Sequence, residues 1–220
     1  MGRNMLSVMG IVVCTTFVSC ANPQFFTVTI YDSPSQNVRL QAMSLEERDR
    51  YSHPVSISKE QMTEVLKGLY VEVDTSTLSP PFWDDSENNV RRRAFSDGEI
   101  QFFAPLFVKG LQEATPEEII TFFETAEISD MHEATTSGGV YVRNDTLHII
   151  LSNDNVQTPI WQDNAEYHAP YRLAPLEPIA PEPGRLVFVP TKLMVPVQSK
   201  GWLASLKGKP WQAAVSYKKL

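Results

Sequence analysis

The stretch from Val140 to Leu151, VYVRNDTLHIIL, decides the expected fold. Two runs of β-branched and aromatic residues flank the dipeptide Asn144-Asp145, and these two residue types tolerate the positive φ angles of a two-residue type I′ turn. Such a turn would pair Arg143 with Thr146, Val142 with Leu147, Tyr141 with His148, and Val140 with Ile149. This register predicts an antiparallel sheet, because it brings four apolar residues onto one face: Val140, Val142, Leu147 and Ile149.

Six further segments have the apolar alternation of strands. Phe26, Val28 and Ile30 alternate with polar or aromatic neighbours, which predicts a strand over 25–31 with one buried face. The same pattern predicts strands over 38–42, 69–73 and 211–217. Two short runs, 186–189 and 193–197, are interrupted by Pro190 and Pro196, which favours edge positions in a sheet.

Three segments carry the signals of a helix start. Ser58 with Gln61 and Ser96 with Glu99 have the spacing of the capping box, in which two side chains satisfy free backbone N–H groups reciprocally. Thr115, Pro116 and Glu118 combine that spacing with a proline at the first helical position. We therefore expect three helices, the second kinked or divided at Pro105. We expect Gly138-Gly139 to end the third helical region.

Two stretches lack a regular period. Residues 74–95 include Pro80-Pro81, several acidic residues and Arg91-Arg92-Arg93, and we interpret them as a charged loop facing solvent. A docking site is the alternative. Residues 156–184 contain six prolines among aromatic residues, which predicts an extended segment with little regular structure. The whole pattern predicts a single α+β domain over 25–220, with a mainly antiparallel sheet and helices packed on one face.

The first 19 residues have the layout of a signal peptide. Arg3 precedes an apolar stretch, Met5 to Val18, that is shorter than the roughly 20 residues needed to span a bilayer. The stretch ends in Phe17-Val18-Ser19-Cys20, which resembles the lipobox of bacterial lipoproteins, although leucine is more usual at the place of Phe17. The resemblance implies cleavage before Cys20 and acylation of that cysteine. The alternative is an ordinary signal peptide followed by a chance cysteine.

The surroundings of Cys20 agree with a lipid anchor. The other cysteine, Cys14, lies in the segment that would be removed, so no thiol would remain for a disulfide, a zinc site or a nucleophile. Ala21 and Asn22 follow the cysteine, and the absence of Asp directly after it resembles enterobacterial lipoproteins that reach the outer membrane, which implies an envelope protein facing the periplasm. The tether, residues 20–24, extends only about 14 Å beyond the cysteine, so we expect the domain to lie against the membrane.

Composition and motifs argue against several functions. The formal net charge of -7 disfavours nucleic acid as a partner. The four histidines have no zinc-binding spacing, so we expect no metal, and no other cofactor is indicated. No nucleophile elbow, P-loop or dinucleotide fingerprint occurs in the sequence. Ser56-Ile57-Ser58-Lys59 has the S-x-x-K form of penicillin-binding enzymes, but Ser58 is better explained as a helix cap.

Three functions remain open after these exclusions. The leading interpretation is a non-catalytic interaction or assembly module that is held on the membrane by acyl chains on Cys20 and docks another envelope protein. The alternative is a module that binds a small molecule or a cell-wall glycan, and an envelope hydrolase using Asp or Glu is a third hypothesis. Four aromatic residues are the candidate contacts for a ligand or partner, with packing inside the fold as their structural alternative: Trp161, Tyr167, Tyr171 and Trp202.

Overall fold

The computed structural model describes residues 25–43, 51–74, 89–160, 168–180, 184–197 and 211–220. Cys20 and its tether, together with Trp161, Tyr167 and Trp202, lie outside the described residues. Within them the strands are β1 (Phe25–Asp32), β2 (Gln36–Ala42), β3 (Leu69–Asp74), β4 (Asn89–Arg93), β5 (Glu118–Ser129), β6 (His132–Arg143), β7 (Thr146–Pro159), β8 (Arg185–Phe188) and β9 (Trp211–Val215). The helices are α1 (Lys59–Lys67), α2 (Asp97–Glu113) and α3 (His168–Leu173).

The strands form two antiparallel sheets. The larger has the order β1-β2-β5-β6-β7-β9, and the smaller has the order β4-β3-β8. Both sheets contribute to one apolar core, since Val71 and Phe188 of the smaller sheet are buried with Val142 of the larger. The predicted α+β class with a mainly antiparallel sheet is confirmed. β8 lies at a sheet edge, as its neighbouring Pro190 indicated.

The β6–β7 hairpin has the predicted turn and register. Asn144 and Asp145 both have positive φ, 48° and 60°. The four predicted pairs are all present, from Arg143 with Thr146 to Val140 with Ile149. The four apolar residues of one face are fully buried in the main core: Val140, Val142, Leu147 and Ile149. Two-residue turn chemistry therefore sets the register of the longest strand pair in the protein.

Helices α1 and α2 cover one face of the larger sheet. Both predicted capping boxes are present, at Ser58 with Gln61 and at Ser96 with Glu99. Helix α2 packs against β1, β2, β5 and β6, and α1 packs against α2. Helix α2 continues through Pro105, so the predicted division into two helices is wrong. Its apolar side meets Phe122 of β5, whose ring centroid is 5.4 Å from that of Phe103 and 5.3 Å from that of Phe107.

The opposite face of the larger sheet is covered by irregular segments. Tyr51 and Leu176 pack there against Ile119, Tyr141 and Ile150, and all five are buried. The proline-rich segment is less irregular than predicted, because β7 extends to Pro159 and α3 occupies His168–Leu173. Residues 174–179, which follow α3, nevertheless cover this face of the sheet. The predicted segment is therefore partly regular and partly a lining for the sheet.

The predicted third helix is wrong, because Thr115-Pro116 leads into strand β5. The local chemistry forms as expected: Thr115 N and Oγ1 both donate to Glu118 Oε2, at 2.8 and 2.9 Å. The chain makes one turn, with Glu118 N donating to Thr115 O, and then becomes extended. The following residues, 119–123, are mostly β-branched or aromatic, and pairing with β2 and β6 stabilises them as a strand.

The prediction that Gly138-Gly139 ends a helical region is wrong, because the dipeptide lies inside β6. A Cβ atom on Gly138 would be 2.0 Å from Ile150 O, so the close approach of β7 requires glycine there. The adjacent register shifts, between Thr135 and Ser137 and between Ser137 and Gly138, mark a bulged region of the hairpin.

Three other predictions are corrected at the edges of the sheets. Strand β1 forms, but it is an edge strand and Val28 is exposed, so its predicted buried face is incomplete. The predicted strand over 193–197 is replaced by a 3-10 turn at Thr191–Leu193 and a single bridge from Met194 to Val215. The predicted loop over 74–95 contains strand β4, and its residues 75–88 lie outside the described residues.

Candidate functional site

The three longest strands extend past their neighbours and form what we call the arm, residues 126–129, 132–135 and 156–159. β2 ends its pairing with β5 at Glu124, where Thr125 N donates to Ser35 O at 2.8 Å. β9 pairs with β7 only from Leu147 to Leu151. In the described part of the chain, β5, β6 and β7 thus continue without a further strand on either side. From Thr125 to Ser129 this adds about 13 Å.

The tip of the arm is apolar and surrounded by carboxylates. Ile128 is 50% exposed and Met131 is 69% exposed. The tip is ordered by backbone contacts, since Ile160 N donates to Met131 O at 2.7 Å. Glu127 directly precedes Ile128 and Asp130 directly precedes Met131, and segments 124–137 and 152–160 contain no Lys or Arg. Large exposed apolar side chains grouped in this way are typical of an interaction surface.

A cavity of about 510 Å³ lies where the arm joins the α2 side of the protein. Its lining residues come from the end of β4, the start of α2 and the three strands of the arm's base: Arg93, Ala94, Phe95, Ser96, Glu99, Glu124, Ala126, Ala134, Thr136 and Asn155. The size suits a small molecule or one or two sugar rings. The lining mixes one cation, two carboxyls and several small side chains.

One carboxyl of the cavity, that of Glu99, affects the pKa of the other, that of Glu124. Burial raises the pKa of Glu124, opposed by a 2.7 Å hydrogen bond from Gln36 Nε2 and reinforced by the nearby carboxylate of Glu99. The other oxygen, Glu124 Oε2, has no donor partner among the described residues. Glu99 is itself held at the helix start, where its Oε2 accepts from Ser96 N at 2.6 Å. The raised pKa of Glu124 favours the protonated form of its carboxyl.

The carboxyls of Glu99 and Glu124 supply the cavity with hydrogen-bond acceptors, and Glu124 Oε2 can accept a donor from a ligand.

The arginines of the charge run pair within the protein. Arg92 forms an ion pair with Asp154, whose side chain is 1% exposed, and this links β4 to β7 at the base of the arm. Burial raises the pKa of Asp154, and the charge of Arg92 opposes that shift. Arg91 lies 4.6 Å above the ring of Tyr70, and Arg93 pairs with Asp97 at 2.8 Å. These three residues belong to strand β4 and not to a loop, but all three are exposed, as expected for a charge run that faces solvent.

Tyr141 and His148 are a cross-strand contact, as predicted. Their rings stack with centroids 4.6 Å apart and an angle of 4° between the planes. Gln212 Nε2 donates to Tyr141 OH at 2.7 Å and lies 3.1 Å from His148 Nδ1. Burial lowers the pKa of His148 to about 4, with the charge of Arg143 as a second cause. This cluster packs the second face of the sheet.

The structure separates the predicted contact Tyr171 from the features described above. Tyr171 lies on α3, half-buried, and does not line the cavity. Its neighbour Arg172 fastens α3 to the β1–β2 turn through Asp32 and through Pro34 O at 2.8 Å. Ile128 and Met131 were missed because the predicted helix start at Thr115 concealed the strand pattern that follows it. The alternation over 119–128 was the signal that could have found them.

Comparisons of the chain with known protein families, curated proteins and solved structures give no match. Among the described residues, no helix is long and apolar enough to cross a membrane. In the same residues, no group of three or more His, Cys, Asp or Glu is arranged to hold a metal ion.

Proposed function

We propose that this chain is a lipid-anchored envelope protein that binds another envelope protein through the tip of its arm. The observation that carries the proposal is the exposed pair Ile128 and Met131, at the end of three strands that extend beyond the neighbouring strands of the sheet. The partner that fits this tip has an apolar pocket bordered by Lys or Arg. Apolar burial would supply the affinity, and the carboxylates around the tip would speed association and select the partner.

The geometry supports a tip that faces away from the membrane. Phe25, the first described residue after the tether, pairs with Ala42, and Ala42 pairs with Glu118 at the start of β5. The tip is at the other end of β5, at Ser129. A strand of this length spans about 36 Å, so Phe25 and the tip lie at opposite ends of the larger sheet.

A protein partner agrees better with the charge of the tip than a lipid surface or a second copy. Glu127 and Asp130 would be repelled by anionic headgroups. Two copies meeting tip to tip would bring four carboxylates together without a cation from either arm. A partner with basic residues around an apolar pocket satisfies both the apolar and the charged parts of the tip.

Site-specific crosslinking in intact cells tests the partner. A photoreactive amino acid at Met131 should give one major adduct with an envelope protein. The yield should fall several-fold with Ile128→Ser and also with Glu127→Lys plus Asp130→Lys. The same photoreactive residue at Val189, which is 40% exposed and directly follows β8, is the matched control and should not give that adduct. An adduct that consists of two copies of this chain would contradict the proposal. An adduct whose yield is unchanged by both sets of substitutions would also contradict it.

The anchor is tested separately. Cys20→Ser should abolish palmitate labelling and leave the uncleaved precursor, because the thiol is the predicted site of acylation. Ser19→Ala keeps a small residue before the cysteine and should retain both labelling and cleavage. An acylated, membrane-bound Cys20→Ser protein would overturn the lipoprotein assignment without bearing on the arm.

The cavity favours a second candidate function, the binding of a cell-wall glycan. Its volume and its paired carboxyls suit a ligand with several hydroxyl or amide donors. The protein should then sediment with purified peptidoglycan, and Ala134→Leu, which fills the cavity, should prevent sedimentation. Ile128→Ser should leave sedimentation unchanged while reducing the crosslink at Met131. The opposite pattern would assign binding to the arm alone.

A further inference from the structure

We infer that Phe25 and Val28, the N-terminal patch, contact the lipid bilayer and orient the protein on it. The inference rests on the proposed lipid anchor and adds to it a second point of contact. Phe25 is 63% exposed and Val28 is 42% exposed, although both belong to a strand of the larger sheet. The occupant of this surface is the apolar edge of the membrane next to the acylated cysteine.

The register places the patch on the face of the sheet that α2 covers. Val28 is opposite Leu40 and Tyr31 is opposite Val38, and both partners are fully buried under the helices. Residues directly opposite each other in a sheet point to the same side. Tyr31 is covered, because its ring meets Phe102 of α2 edge to face at 5.0 Å. Phe25 and Val28 lie further along the same side and remain exposed, so the cover of α2 stops short of them.

The exposure of the apolar side chains of Phe25 and Val28 is unusual for the edge strand of a sheet. Proteins protect edge strands with charges, prolines or bulges, and β1 has two register shifts, between Phe26 and Val28 and between Thr29 and Tyr31. Those irregularities hinder pairing of β1 with another strand. The patch itself has no such protection, since an aromatic and a β-branched side chain occupy its surface. A surface that blocks strand pairing but keeps apolar side chains is suited to lipid.

The tether specifies which surface covers the patch. Four residues, 21–24, separate Cys20 from Phe25 and extend at most about 14 Å. With its acyl chains in the bilayer, Cys20 holds Phe25 within reach of the headgroup region, where apolar side chains are buried about 5 to 10 Å deep. Because the overall charge is -7, anionic lipid does not attract the protein, and the contact with the bilayer depends on apolar burial. Neutral lipid is therefore sufficient, and salt should not weaken the contact.

The consequence is a fixed orientation. A tether alone would let the domain turn freely on the membrane surface. A second contact at Phe25 and Val28 holds the start of β5 against the bilayer, through the neighbouring pairs Phe25–Ala42 and Ala42–Glu118. The arm then points away from the membrane, and its tip is presented at about 36 Å from the patch.

Spin labelling of the full, lipidated chain tests the contact. After cleavage and acylation no free thiol is expected, so Phe25→Cys, Val28→Cys, Ile128→Cys and Met131→Cys each offer one labelling site. These are exposed positions, so the label should be tolerated. The labelled proteins are reconstituted into phosphatidylcholine vesicles, and collision with oxygen is compared with collision with a water-soluble nickel complex.

We expect the ratio of oxygen to nickel accessibility to be several-fold higher at positions 25 and 28 than at 128 and 131, and unchanged in high salt. The arm positions are the matched control, because they are as exposed and as apolar as the patch. An acylated protein with all four labels in water would overturn the inference but leave the anchor intact. A chain recovered without acyl groups on Cys20 would overturn both.

Discussion

The two faces of the larger sheet are closed in different ways. On one face Phe122 packs among the rings of Phe95, Phe103 and Phe107, all buried and apolar. On the other face the cover at 175–179 is held by polar side chains of the sheet. Ser137 Oγ donates to Pro175 O at 2.8 Å, and Ser152 Oγ donates to Leu176 O at 3.0 Å. The first face is closed mainly by packing and the second largely by directed hydrogen bonds.

The centre of the second cover is Asn153, which is 2% exposed. Its amide nitrogen donates to Ser137 Oγ at 2.8 Å and to Glu177 O at 3.1 Å, and its oxygen accepts from Ile179 N at 2.7 Å. One side chain thus satisfies the backbone of a segment that forms no strand or helix. The contrast shows that an irregular proline-rich segment can close a sheet when buried polar groups supply its missing backbone partners.

Among the single substitutions, the largest effect is expected on the helix-covered face. Phe122→Ala should lower the free energy of unfolding by about 3 to 5 kcal/mol, because it removes a buried ring and leaves a cavity among three others. Urea denaturation measures the change. Val28→Ala, at an exposed position of β1, is the control and should cost less than about 0.5 kcal/mol. A loss below 1 kcal/mol for Phe122→Ala would mean that this face is not closed by packing.

On the second face, Asn153→Ala should cost about 1 to 3 kcal/mol, because the Ile179 N–H and the Glu177 carbonyl lose their buried partner. Amide exchange of Ile179 should become faster by a larger factor than that of Val142 in the core. Ser152→Ala removes a single hydrogen bond and should cost less than Asn153→Ala. Equal exchange at Ile179 in the variant and the parent protein would show that other contacts hold the cover.

Acid should weaken the second face selectively. Burial lowers the pKa of His53 to about 4, partly offset by Glu118 and Thr115, and burial lowers the pKa of His148 to about 4 as well. His53 Nε2 accepts from Val142 N at 2.9 Å, which requires the neutral ring. His148 stacks on Tyr141, and His53 stacks on Tyr51, whose ring in turn contacts that of Tyr141. Among the described residues, the core on the first face contains no histidine.

The lowered pKa values of the two histidines determine how stability changes with pH. Between about pH 6.5 and pH 4 the unfolded chain binds protons at these histidines and the folded chain does not, so stability falls as pH falls. Each histidine contributes a slope of about 1.4 kcal/mol per pH unit within that window. Urea denaturation from pH 7 to pH 4.5 measures it, and His148→Gln should reduce the slope by about half. The raised pKa values of Glu124 and Asp154 act in the opposite direction at the base of the arm. A slope unchanged by His148→Gln would contradict the assignment.

The smallest effect is expected at the turn that both faces share. Asp145→Gly should leave the free energy of unfolding unchanged or slightly higher, because glycine adopts the φ of 60° without strain. The ion pair from Lys218 to Asp145 is exposed, so its loss costs little. Asp145→Val should cost about 1 kcal/mol or more through forced left-handed backbone. Equal stability of the Gly and Val variants would show that the turn is not strained.

Sequence reasoning succeeded where the deciding groups are close along the chain. The Asn144-Asp145 turn and the boxes at Ser58 and Ser96 each depend on residues within four positions of one another, and all three are confirmed. The same reasoning failed at Thr115, although its capping contacts form. A single turn of helix there competes with two neighbouring strands, and the paired strands are more stable.

The candidate site was outside the reach of such reasoning. The cavity joins Glu99 of α2 to Glu124 of β5, and the base of the arm joins Arg92 to Asp154, which are 62 positions apart. Nothing in the local pattern pairs these residues. The tip residues could have been recognised only after 119–129 was assigned to a strand, since a helix would have distributed Ile128 and Met131 differently.

By itself the sequence determined the hairpin register, two helix starts and the α+β class, because each depends on short-range spacing or composition. Only the tertiary structure decided that the segment after Thr115 is a strand, that three strands outrun their neighbours, and that a proline-rich segment lines one face of the sheet. The physical reason is that these features depend on partners far apart in sequence, such as Asn153 and Glu177, 24 positions apart. Such contacts form only when the whole sheet has assembled.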